Sequence, residues 1–218
     1  MFNLENYQER MNKIKKTVFI SFIISMVLAL TMIVLLVCFN FMGVIHIQTL
    51  TGTKYADGFD YPGWQILYWG VGPMIIQGYQ EYSFNIWLTL AFVLPFLALI
   101  ICSILYFRWR KIKGTNTKKA ILEFVMGGLV IVGSIMLFCC DKFAIANAKA
   151  VENSYTYYYS EYLIPALNGE VSYGITFYPT LILLVGLVTG IFKIFNGLLL
   201  IYQKKYAKAY KMKLKEGK

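Results

Sequence analysis

The sequence predicts an all-α membrane protein: an antiparallel four-helix transmembrane bundle, both chain ends cytoplasmic, with outer loops suited to a small β-sheet cap. Three observations lead there. Apolar residues make up 58% of the 218 and charged residues 15%, against about 25% charged in a soluble domain. Four runs reach the ~20 residues a bilayer requires. The basic residues gather on alternate sides of those runs.

Residues 1–16 open with Leu4, Tyr7, Met11, Ile14 and Val18 on one helical face, and with Glu9 and Lys13 spaced to pair on the other. This is the pattern of an amphipathic helix lying on the inner leaflet and turning into the first span. The first span, 17–45, has 29 uncharged residues, against the ~7–15 of a cleaved signal peptide's apolar core. Outer loop one takes residues 46–83. In it His46–Thr53 and Trp64–Trp69 alternate like short strands, with Asp57-Gly58 as a turn. The second span, 84–107, has Pro95 midway, where a lost backbone bond predicts a kink. A cytoplasmic loop, 108–119, leads to the third span, 120–140. Outer loop two, 141–174, precedes the fourth span, 175–202, and a basic tail, 203–218. In hydrocarbon each run must pair its own backbone groups, hence helices.

The net charge of +10 is distributed in one sense. Of 21 Lys and Arg residues, 17 lie before the first span, between spans two and three, or after the fourth. Excess Lys and Arg mark the cytoplasmic side. The basic character is therefore a threading signal, and nucleic acid is not the expected partner. The expected partners are a bilayer with an anionic inner leaflet, which draws the lysine-rich tail, and a protein partner or second copy of the chain. Tyr202, Tyr206 and Tyr210 form a stripe in that tail, read as facing lipid. Cys38, Cys102, Cys139 and Cys140 all belong to spans, which argues against a disulfide-stapled outer domain.

Ionisable residues inside spans are functional candidates by default. Glu123 and Lys193 lie at similar depth once the lysine stem reaches back towards the cytoplasm, so the pair is expected to meet in the interior. Small residues mark close helix approach: Ser21, Ser25 and Ala29 in span one, Gly186 and Gly190 in span four. The outer loops hold eleven of the 17 tyrosines. Trp64, Trp69, Tyr157, Tyr158 and Tyr159 are the expected contact residues there, Tyr being well suited to protein-contacting surfaces. Catalytic patterns are poor. His46 is the single histidine, and its use as base for Ser134 would need a buried hydrogen-bonded pair and an oxyanion hole. No phosphate loop or metal-ligand spacing is present, so neither a cofactor, a metal nor an enzymatic activity is expected.

At Tyr61-Pro62-Gly63-Trp64-Gln65-Ile66-Leu67-Tyr68-Trp69-Gly70 the chain resembles a family of uncharacterised four-span membrane proteins of low-GC Gram-positive bacteria. Their first outer loop carries a Gly-aromatic-Gln…Gly element. That resemblance implies a bacterial plasma membrane location. The layout is also similar to claudin-type tetraspan proteins, without their paired loop cysteines. The expected function is a non-enzymatic accessory or scaffold that engages a partner through the aromatic loops or the small-residue faces. The alternative is a small transporter or channel subunit using Glu123 and Lys193.

Overall fold

The structure, a computed structural model, describes residues 4–51, 54–55, 59–67, 70–75, 78–82, 86–109, 116–142 and 171–216. In chain order the elements are α1 (Leu4–Phe39), β1 (Gly43–Thr51), β2 (Lys54–Tyr55), β3 (Phe59–Pro62), α2 (Gly63–Leu67), β4 (Gly70–Ile75) and β5 (Gly78–Tyr82). There follow α3 (Ile86–Trp109), α4 (Asn116–Phe138), β6 (Val171–Ile175) and α5 (Phe177–Glu216). Among the described residues, four helices (α1, α3, α4, α5) are long and apolar enough to cross a bilayer.

No Gly or Pro interrupts α1, so its backbone ladder is unbroken from end to end. The expected turn between an amphipathic segment and the first span is therefore absent, and both form one helix. The helix stops before residue 45. Asn40 folds back on it, its Nδ2 donating to the Val37 carbonyl at 3.2 Å, and the β-branched stretch after Gly43 prefers extended chain. α5 likewise has no Gly or Pro after Gly197, so the basic segment expected as a tail is helical through Glu216.

At 1.5 Å per residue, the 36 residues of α1 and 40 of α5 run to roughly 54 and 60 Å, against roughly 35 Å for α3 and α4. The two long helices overshoot the bundle together at its basic end. Tyr7 stacks there on Tyr206 and Tyr210, with ring centroids 5.3 and 3.2 Å apart. Two members of the tyrosine stripe thus dock on α1 rather than on lipid, because offset aromatic stacking adds to the area they bury. Tyr202 is exposed. Burial and the neighbouring phenols push the Tyr7 hydroxyl above its ordinary pKa, so it remains a neutral O–H donor.

At the opposite end β1 is central, antiparallel to β3 (His46 facing Asp60) and to β6 (Gln48 facing Ser172). β2 folds back on its far end, with Leu50 facing Tyr55. β4 and β5 form a separate antiparallel pair. The strand expected at His46–Thr53 is present with its start at Gly43. The one expected at Trp64–Trp69 is not a strand over its described residues, 64–67: Phe59–Pro62 is the strand, and Gly63–Leu67 is a helical turn. Its N-terminus is pinned by two backbone bonds, Gly63 N–H to the Met42 carbonyl at 3.3 Å and Trp64 N–H to the Asn40 carbonyl at 3.2 Å. Ile66 and Leu67 then enter the core. The Asp57-Gly58 turn lies outside the described residues. Gly63 packs so closely on Phe39 that an added Cβ would overlap its carbonyl and ring. Gly63→Ala should therefore destabilise by about 2 kcal/mol, read as a fall in the thermal unfolding midpoint.

The helices close a ring in which α1 packs on α5, α5 on α4 and α4 on α3. Met32, Leu36, Phe39, Leu88, Leu99, Met126, Val130, Leu137 and Ile182 fill the interior. The outward faces are equally apolar, with Leu30 and Val34 each 59% exposed, Ile104 62% and Ile191 61%. Water would penalise such a surface and lipid does not. Pro95 is buried within the continuous helix α3. Its missing N–H leaves the Ala91 carbonyl without its helical donor, and Gly133 of α4 packs against that carbonyl and the proline ring.

Candidate functional site: a buried charged cluster

α4 and α5 pair antiparallel along their length, and small residues allow it. A Cβ on Gly127 would stand 2.7 Å from the Gly190 carbonyl, and one on Gly190 would stand 2.8 Å from the Gly127 carbonyl. Gly186 packs against Ser134 and Met32. Towards the basic end the same pairing is held by Asn116 Nδ2 donating to Gln203 Oε1 at 3.2 Å and Lys204 Nζ donating to Thr117 Oγ1 at 2.6 Å.

One turn from the glycine crossing, this register brings Glu123 and Lys193 face to face. Lys193 Nζ lies 3.4 Å from Glu123 Oε2, and both side chains are 1% exposed. Asn196 Nδ2 donates to the other carboxylate oxygen, Oε1, at 2.8 Å. Oε2 has a cation beside it but no aligned hydrogen bond, so the second oxygen is held by charge alone. Glu123 is seven residues into α4, roughly 10 Å from its start. Two opposite charges at that depth neutralise each other, which lowers the cost of holding either among hydrocarbon side chains.

Ser21 and Ser25 of α1, Ser103 of α3, Ser134 of α4 and Thr189 of α5 each have a buried oxygen with no hydrogen-bond partner among the described residues, as does the Asn196 carbonyl. Ser21, Ser25 and Ala29 form the buried stripe of α1. Lys119, also buried, sits over the Tyr106 ring at 5.6 Å. The interior therefore holds a neutralised ion pair and, along the bundle, several hydroxyls without a hydrogen-bond partner among the described residues.

Among the residues singled out from sequence, Glu123 and Lys193 come together, and Gly186 and Gly190 pack against α4 inside one chain. That second contact leaves the glycine face unavailable to a partner. Trp64 is 40% exposed at the strand end. Trp69, Tyr157, Tyr158 and Tyr159 lie outside the described residues. His46 Nδ1 lies 2.6 Å from Asp60 Oδ1 across the β1–β3 pair. Sequence reasoning passed over Asn196 and Gly127. Thr189, Lys193 and Asn196 recur at intervals of four and three, a polar helical stripe that marks Asn196. Gly127 stands one helical turn beyond Glu123 in the same way.

No protein-family model, curated protein or solved structure matches this chain. Four apolar helices in one bundle nevertheless identify the chain as a four-span integral membrane protein on composition and length.

Proposed function

We propose that this protein is a non-enzymatic membrane scaffold, with both chain ends cytoplasmic, that engages a partner protein through its strand-bearing outer end. The single observation carrying this reading is that the bundle consumes its own recognition groups. The ion pair is closed on itself at 3.4 Å, and the glycine faces are filled by α4 and α5. Among the described residues, the strand end offers exposed groups to a protein partner. There Phe41 (77% exposed), Trp87 (62%) and Phe177 (74%) are exposed, as is Trp64. Among the described residues β3 and β6 pair with β1 alone, and an unpaired strand edge is a template for another chain. The cytoplasmic placement of the opposite end follows from its lysines.

A photo-crosslinking residue at Trp64 should capture a discrete partner band in the native membrane, and one at Lys205 should not. Equal capture from both positions would overturn the scaffold reading.

The ion pair, buried inside the spans, favours a second reading, a small transporter or channel subunit. Proteoliposomes containing the protein would then show solute or proton flux that is abolished by Lys193→Met. The scaffold reading expects no flux with either protein.

A further inference from the structure

The overshoot of α1 and α5 at the basic end creates a cavity that neither the scaffold nor the transport reading uses. It is an open cleft of about 790 Å³, within the ~300–1,000 Å³ range of small-ligand sites. Lys15 of α1 and Lys204, Lys208 and Lys211 of α5 line it, and no acidic side chain is among its lining residues. The amides of Asn12, Asn116 and Gln203 also line it, and Met11 supplies an apolar wall. Lys204 is already oriented by its bond to Thr117, which uses one of its three donors.

Four like charges around one cavity repel each other unless an anion separates them. Ammonium groups with flanking amides make the donor set that satisfies phosphate oxygens. The cavity's position adds to this. Lys15 lies two residues before the first apolar run begins at Thr17, so the inner part of the cavity is level with lipid headgroups. Its outer part, at Lys208 and Lys211, faces water.

We propose that this cavity binds a phosphate-bearing anion, the shared chemistry of an acidic phospholipid headgroup and a free phosphate ester. This differs from the diffuse attraction of a polybasic segment to a charged leaflet, because it assigns the binding to particular lysines. The opposing idea can be matched charge for charge. Lys13, Lys16 and Lys205 are exposed and lie at the same end, outside the cavity lining.

The test uses the full chain in detergent micelles and measures binding of phosphatidylglycerol and, separately, of glycerol phosphate. K15Q/K208Q/K211Q should weaken the binding by about tenfold or more, whereas K13Q/K16Q/K205Q, of identical net charge, should change it less than about twofold. All six substitutions are at exposed positions, and circular dichroism checks that both triple variants keep their helix content. If glycerol phosphate competes with the lipid, the site reads the phosphate itself. If the lipid alone binds, the site reads the headgroup together with its membrane attachment. Equal losses in the two triple variants, or no saturable binding of either probe, would overturn the proposal.

Discussion

Lys193→Met is expected to destabilise the bundle by about 3 kcal/mol or more, because it leaves the Glu123 carboxylate buried with no counter-charge. Breaking one half of a buried pair costs more than the pair contributes, since the surviving charge cannot regain its solvation. The double variant Glu123→Gln with Lys193→Met removes both charges and keeps an oxygen for the Asn196 amide. It should recover most of the loss and lie within about 1 kcal/mol of the native chain. Denaturant unfolding in one detergent gives both numbers. A double variant as unstable as the single one would mean that Lys193 contributes through packing, with the ion pair immaterial.

The second large effect separates two neighbouring glycines. Gly127→Ala places a methyl group 2.7 Å from the Gly190 carbonyl and 2.8 Å from Ile194. Backbone cannot rotate away as a side chain can, so α4 and α5 must part, at a cost of about 2–3 kcal/mol. At Gly128 an added Cβ meets nothing within 4 Å. Gly128→Ala should therefore be neutral, or stabilising by about 0.5–1 kcal/mol through reduced chain entropy in the helix. The same unfolding measurement on the two variants should differ by about 3 kcal/mol. Equal responses would mean that the helices do not cross at Gly127 and Gly190.

The strand end shows where sequence reading stopped. The β-branched run after Gly43 announces β1, but nothing local in Trp64-Gln65-Ile66-Leu67 distinguishes a strand from a helical turn. Its apolar residues alternate imperfectly, and the decision lies with the Met42 and Asn40 carbonyls that hold Gly63 and Trp64. The basic end is similar. A tyrosine stripe among lysines looks the same whether it faces lipid or a second helix, and only the docking of Tyr7 on Tyr206 and Tyr210 distinguishes the two. Asn196 was legible in principle, because an amide one turn from a buried lysine within an apolar run has few other reasons to be there.

The set of four spans and the segregation of charge between the two ends are legible in the chain alone. Both follow from transfer free energy, which depends on the content of each segment and not on its neighbours. The tertiary structure alone decided which polar groups meet. Glu123 and Lys193 are 70 residues apart, and their 3.4 Å approach depends on the glycine crossing that sets the register between α4 and α5. The cationic cavity likewise exists only because two helices run past the other two together. Pairings of this kind are properties of relative helix position, and no single segment carries them.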